Sequence, residues 1–323
     1  MELISIDDVR AAAERVQGKV LRTPVLHCDT ARGGLWVKPE NLQQVGAFKL
    51  RGATNALACL EPGIRAAGVV THSSGNHGQA LAYAARAAGV SCTVVTPENA
   101  PPVKVAAMRR FGAEVVLVPP AEREPTVARL AAERGLTPIP PFDHPDVIAG
   151  QGTIGLEVLA DVPDVATVLV PVGGGGLASG VATAVRALRP DVAVIGVEPE
   201  LAADAAESLA AGRLVPWPPE RTHRTIADGV RVGLSERTFA HVRARIEKIV
   251  TVTEDEIRTA MAALARDARI VAEPSGALAS AAFLAGRVTA EEAPAGRTVA
   301  VVSGGNVEPA LLAETLVPPT GHA

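Results

Sequence analysis

Four short stretches of this 323-residue chain hold residues suited to chemistry. The first is Gly46-Ala47-Phe48-Lys49-Leu50-Arg51-Gly52, which sets a lysine among small residues and an aromatic. A lysine amine becomes a nucleophile when desolvation or a nearby cation, here Arg51, lowers its pKa. Most lysines are solvated, so Lys49 gains meaning only from the other three stretches. Ser73-Ser74-Gly75-Asn76-His77-Gly78 offers two hydroxyls, an amide, an imidazole and several N–H groups, a set suited to a carboxylate and to proton exchange with a serine. As a Ser-His nucleophile it lacks the G-x-S-x-G elbow. Gly173, Gly174, Gly175 and Gly176 follow an apolar run ending at Val172. A glycine-rich turn opening a helix is an anion site, because its N–H groups point outward and backbone can approach phosphate oxygens. Ser303-Gly304-Gly305-Asn306 closes the set after Val302.

The elements expected to position these stretches alternate. A capped helix is expected over 5–17 and a short strand over 35–38, with helix continuing from Gly52 after the lysine. Strands are then predicted at 68–72, 91–96, 114–118 and 137–140, and helices at 79–88, 103–111 and 124–134. Gly89, Gly112 and Gly135 stand where left-handed C-terminal caps belong. A second series has helices at 147–159, 177–188, 201–209, 236–245, 254–268 and 275–285. Its strands are at 167–172, 192–197, 249–252 and 297–302, and 212–233 is irregular. Thr253 with Glu256 forms a capping box. Alternation of this kind implies parallel sheets flanked by helices, and ligands bind such sheets at the C-terminal ends of strands, where three of the loops fall. A dinucleotide fold is the rival: Gly173-x-Gly175-x-x-Ala178 fits its fingerprint and Glu198 stands near the ribose-binding position. That reading leaves the Ser73 and Ser303 loops without a role.

Composition narrows the class. The chain is 48% hydrophobic and only 2% aromatic, so the core must be Ala, Val, Leu and Ile. A net charge of −4 and few aromatics for base stacking argue against nucleic acid. Cys28, Cys59 and Cys92 are scattered without a CxxC, which suggests a reducing compartment. The N-terminus does not read as a signal peptide and no apolar run spans a bilayer, so a cytoplasmic protein is expected.

Taken together the motifs resemble the serine/threonine dehydratase and serine racemase family, the fold-type-II enzymes of pyridoxal 5'-phosphate (PLP), from about residue 5 to 310. Ile148-Ala149-Gly150-Gln151-Gly152-Thr153 and Ala227-Asp228-Gly229 join the four stretches in carrying the likeness. The resemblance implies two open, mostly parallel sheets in a tryptophan-synthase-β-like fold. It also implies a large domain of residues 1–60 and 147–323 and a small one of 61–146. It implies that Lys49 holds PLP as a Schiff base, that Gly173 to Gly176 bind the phosphate, that Asn76 meets the ring hydroxyl, that Phe48 packs on the ring and that Ser303 faces the pyridine nitrogen. A neutral hydroxyl there makes the ring a weaker electron sink than an aspartate partner would. Ser73, Ser74, Gly75, Asn76 and His77 are expected to hold the substrate, with Ser74 acting on the face opposite Lys49.

The resemblance also implies a divalent cation in the large domain, on an acid, a carbonyl four residues on and an acid six residues on; Glu198, Ala202 and Asp204 match that spacing, and such oxygen ligands suit Mg²⁺ or Ca²⁺. The activity implied is dehydration of L-threonine or L-serine to a 2-oxo acid and ammonia, with racemisation or lysis of threo-3-hydroxyaspartate as alternatives on the same site. Phe142 and Val232 match the dehydratase versions, whereas Arg123 or Arg231 could take a second carboxylate. The chain end at Ala323 implies no regulatory domain, and the family habit implies a homodimer. An NAD-dependent oxidoreductase and a silent amino-acid-binding module remain the readings from other classes.

Overall fold

The computed structural model describes residues 2–288 and 296–317. Its strands are β1 (Leu26–Thr30), β2 (Gly33–Pro39), β3 (Val69–His72), β4 (Cys92–Pro97), β5 (Glu114–Val118), β6 (Thr137–Pro138), β7 (Val165–Pro171), β8 (Ala193–Pro199), β9 (Lys248–Val252) and β10 (Arg297–Val302). They form two open sheets, one of six strands in the order β1-β2-β10-β7-β8-β9 and one of four in the order β5-β4-β3-β6. Every neighbouring pair is parallel except β1–β2. Helices cover both sheets, so the α/β reading holds. Strands β7 and β8 are buried at every residue, which is why they read as unbroken apolar runs rather than as alternation.

Differences from the sequence expectations have local causes. Strand β1 was not expected, because Leu26-His27-Cys28-Asp29-Thr30 has no clean alternation; pairing Leu26 with Val37 and Thr30 with Gly33 makes it the antiparallel edge. The strand expected over 137–140 pairs only at Thr137 and Pro138, since prolines 138, 140 and 141 bring no N–H to a ladder. The helix expected over 201–209 is instead a 3-10 turn at Glu200–Ala202 followed by a helix over Asp204–Ala211. Helix Asn76–Ala87 begins three residues earlier than expected, which draws Asn76 and His77 into its first turn. The helix cap at Ser5 and the capping box at Thr253 form as expected, and Ser5 goes further by closing a capping box with Asp8.

Three helices set the height of Lys49. Lys49–Cys59 packs on Pro145–Asp161, which packs on Gly176–Leu188. A Cβ on Gly150 would lie 2.6 Å from Gly52 Cα, and one on Gly180 would lie 2.3 Å from Ile148 O. Only glycines allow backbones so close. The Ile148 to Thr153 motif therefore serves helix packing. Gln151 adds a bond, its Oε1 accepting from Gly52 N at 3.2 Å.

Beneath this contact lies a buried ionic group. Arg51, Lys38 and Glu40 are wholly buried. The Arg51 guanidinium grips Glu40 with Nε to Oε2 at 2.7 Å and Nη2 to Oε1 at 2.8 Å. It grips Glu157 with Nη1 to Oε1 at 2.7 Å and Nη2 to Oε2 at 2.8 Å. Lys38 Nζ donates to Glu157 Oε2 at 2.6 Å, and Thr23 Oγ1 donates to Glu40 Oε1 at 2.7 Å. Charges this deep persist only because each fork is matched.

Candidate active site

Lys49 is the first residue of its helix, held there by the loop that follows β10. Phe48 N donates to Ser303 O at 3.0 Å, Gly305 N donates to Gly46 O at 2.9 Å, and Ala47 bridges Gly304. The amine leans over the Phe48 ring, 5.0 Å from its centroid, and donates to Pro141 O at 2.7 Å. Burial pulls the Lys49 pKa down to about 8, and the Glu273 carboxylate partly opposes it. Arg51, named from the sequence as a nearby cation able to activate Lys49, is bound instead to Glu40 and Glu157. Desolvation is what makes this amine available.

The serine loop follows β3. Ser73 Oγ accepts from Gly75 N at 3.1 Å and from Gly78 N at 2.9 Å, so this hydroxyl closes the loop at the helix start. Ser74 is exposed at the tip. The His77 ring is buried with Nε2 on Ile139 O at 2.9 Å. Burial, with Lys49 nearby, drives its pKa to about 3, so the imidazole is neutral. With its ring turned into the protein, His77 has only its backbone N–H to offer at the loop. Asn76 reaches across to the six-stranded half: its Nδ2 donates to Glu273 Oε1 at 2.7 Å, and its Oδ1 accepts from Asn306 Nδ2 at 2.7 Å.

Gly176 starts its helix, and Gly175 caps it with a left-handed φ of 81°. A Cβ on Gly174 would lie 2.4 Å from the Phe142 ring, one on Gly173 2.7 Å from Val230 Cα, and one on Gly175 2.5 Å from Leu234. The four-glycine turn thus has its walls already in place and its amides at a helix N-terminus. Ser303 is buried, and its Oγ donates to Ser275 O at 3.3 Å, beside the start of helix Pro274–Leu284. Four helix N-termini, led by Lys49, Asn76, Gly176 and Pro274, thereby meet near one another. A phosphate-bearing aldehyde fits this donor set: amides for the phosphate, a depressed amine for the aldehyde and a buried hydroxyl for a ring nitrogen.

Two residues here escaped the sequence reading. Glu273 is buried against Gly304, and burial first, then Asp228, raises its carboxyl to about 7. Its only sequence signal was the position before a helix-starting proline. Lys104 pairs with Asp228 at 2.5 Å, joining the four-stranded half to the Ala227-Asp228-Gly229 turn over the serine loop, where a Cβ on Gly75 would lie 3.4 Å from Lys104 Cδ.

Glu198 and Asp204 do come together. Glu198 Oε1 accepts from Ala205 N at 3.1 Å and Oε2 from Ala206 N at 2.8 Å. Burial and then the Asp204 charge push the Glu198 carboxyl well above its usual range, and burial raises Asp204 too. Among the described residues no three His, Cys, Asp or Glu side chains cluster as a metal site. The expected set needs only these two carboxylates and a carbonyl, and two buried acids that repel each other are chemically suited to a divalent cation.

The fold and this site define a PLP enzyme, and comparison with known proteins agrees. Residues 16–304 match the family described as "Pyridoxal-phosphate dependent enzyme", and the chain belongs to that family. It is 44% identical over 307 residues to L-threonine ammonia-lyase of Geobacter sulfurreducens, covering 93% of this chain and 75% of the relative. It is 42% identical over 309 residues to L-threo-3-hydroxyaspartate ammonia-lyase of Saccharomyces cerevisiae, covering 93% of each. The crystal structure of serine racemase from Dictyostelium discoideum superposes with a TM-score of 0.88 at 38% identity, covering 94% of this chain and 99% of that one.

Proposed function

We propose that this chain is a PLP-dependent ammonia-lyase that converts L-threonine, and L-serine, to the 2-oxo acid and ammonia. The observation that carries this reading is Phe142, whose apolar ring is set against Gly174 and whose backbone lies against Gly176, one residue after the Pro141 carbonyl that holds Lys49. That wall suits a β-methyl group better than a charge. Arg231, a candidate for a second carboxylate, already spends Nε at 3.1 Å and Nη2 at 2.5 Å on Thr225 O. Among the described residues Arg123 commits its Nε alone, to Pro120 O at 2.9 Å, so its terminal nitrogens keep 3-hydroxyaspartate as the second reading, in line with the yeast relative.

Bound PLP supplies an electron sink for the Cα–H bond electrons. The substrate carboxylate rests on the N–H groups at the start of the Asn76 helix, with Ser74 beside it. Lys49 would hold the PLP aldehyde in the resting enzyme, and its free amine is placed to take the Cα proton; with a pKa near 8 it accepts and returns protons at neutral pH. The protonated Lys49 then serves the departing β-hydroxyl, which leaves as water. Over the whole reaction that water is regained by hydrolysis, so the hydroxy amino acid yields one 2-oxo acid and one ammonia. Ser74, on the opposite face, is the proton donor that a minor racemisation would need. Ser303 offers the ring nitrogen a neutral hydroxyl.

The cation is assigned to Glu198, the Ala202 carbonyl and Asp204, and the ordered role is to brace the turn between β8 and the Asp204 helix. Residues 61–146 are taken as a small domain against 1–60 and 147–323, and a cytoplasmic homodimer is the working assembly. No helix among the described residues is long and apolar enough to cross a membrane. The test is 2-oxo acid release from L-threonine, L-serine, D-serine and threo-3-hydroxyaspartate, assayed separately with PLP and Mg²⁺, and again with Lys49→Ala. Oxo acid from threonine or serine that disappears in Lys49→Ala is expected. Accumulation of the opposite enantiomer with little oxo acid, or full activity in Lys49→Ala, would overturn the proposal.

A further inference from the structure

Glu273 is a buried acid that the mechanism above does not use. It sits at the N-terminus of helix Pro274–Leu284, and its N–H donates to Gly304 O at 3.0 Å. A Cβ on Gly304 would lie 2.4 Å from Glu273 Oε1 and 3.3 Å from Asn76 Nδ2, so acid, amide and the backbone beyond Ser303 touch one another. The hydrogen bonds form a directed chain. Asn306 Nδ2 donates to Val45 O at 2.8 Å and to Asn76 Oδ1 at 2.7 Å, and Asn76 Nδ2 donates onward to Glu273 Oε1 at 2.7 Å. Val45 O can only accept, and so can an ionised Glu273. Both ends therefore fix the sense of the chain, and Asn76 keeps one N–H uncommitted by these bonds.

We propose that Glu273 is a positioning residue for the cofactor: acting through Asn76, its carboxylate keeps an amide N–H directed at the ring hydroxyl, and its protonation loosens that contact. This rests on the placement of PLP given above. A carboxylate is a charge-assisted acceptor and its protonated form a weaker one, so the Asn76 amide is held less firmly once Glu273 gains a proton. The charged groups facing Glu273 are Asp228 and Lys104 on the seam and Lys49 across the site; burial and Asp228 disfavour its charge, while Lys104 and the bonds from Asn76 and Asn306 favour it. The balance leaves its carboxyl at about 7, so the switch falls within the working range.

The test is a pH titration of the absorbance of the resting holoenzyme. A spectral step near pH 7 is expected in the wild type, where Glu273 is placed to titrate. Glu273→Gln keeps the shape and the acceptor but has no proton to lose. It should retain PLP and lose the step, an outcome that a purely structural role does not produce. A wild-type spectrum flat across that range, or a step that persists unchanged in Glu273→Gln, overturns the proposal. Should Glu273→Gln fail to fold by circular dichroism, Asn76→Ala carries the same test: the step must vanish there too, and its survival overturns the coupling. Borohydride reduction and peptide mapping of the wild type check the layer beneath. No label on Lys49 would bring down the site assignment and this proposal with it, whereas a labelled Lys49 without the Glu273 step brings down only the proposal.

Discussion

Arg51 offers the sharpest test of how the site is held. Replacing it with methionine keeps the side-chain length but strands Glu40, wholly buried, and takes from Glu157 one of its two cations. Four charge-assisted bonds of 2.7–2.8 Å disappear, two on each carboxylate. Breaking a buried pair from one side costs about 3–5 kcal/mol. The lower end is expected, because Lys38 stays on Glu157 and Thr23 and Gln43 stay on Glu40. With a urea m-value of about 3 kcal/mol/M this lowers the unfolding midpoint by roughly 1 M. Adding Glu40→Gln removes the stranded charge, so the double variant should recover about 1 kcal/mol or more over Arg51→Met alone. The pH dependence has a definite sign. Burial alone would raise Glu40, but Arg51 holds it below its ordinary 4.5, so its contribution is present above that pH and lost as pH falls through the lower folded value. Urea unfolding of the apoprotein is the assay. A single variant within about 1 kcal/mol of wild type, or a double variant that is simply additive, would refute the matched-fork account.

Three further outcomes follow from the same geometry. The rate at which apoprotein takes up PLP should rise with pH to a midpoint near 8, because only neutral Lys49 attacks the aldehyde. The same midpoint in Arg51→Met would confirm burial as the cause, and a shift of about one pH unit would return Arg51 to that role. Gly276→Ala would place a Cβ 2.1 Å from Gly304 O, so a loss of about 1–3 kcal/mol and poorer PLP retention are expected by denaturation and absorbance. Gly63→Ala, with nothing within 4 Å, serves as the neutral control, and equal effects at both sites would refute the close-packing argument. Adding Mg²⁺ after EDTA should raise the melting temperature of the wild type, by the equivalent of about 2.7 kcal/mol at a hundredfold excess over Kd. Glu198→Gln should not respond, and no response in the wild type would remove the proposed cation site.

Much of this protein is determined locally and is legible in its residues. The βα alternation, the helix cap at Ser5, the capping box at Thr253 and the left-handed glycines 89, 112 and 135 depend on neighbours within a few positions, so most strands and helices could be read directly. The four chemical stretches were also readable, since each loop's composition states which ligand groups it can meet. What only tertiary structure decided are relations between distant residues. Edge strand β1 exists because β2 is there to pair with, not because of its own pattern. The Ile148 to Thr153 glycines acquire their purpose from Gly52 and Gly180 on other helices. Arg51 belongs to Glu40 and Glu157 rather than to Lys49, because the first turn of a helix points residues two apart in different directions. Glu273 meets Asn76 across 197 positions of sequence, and its raised pKa comes from burial, a property no single stretch of chain possesses.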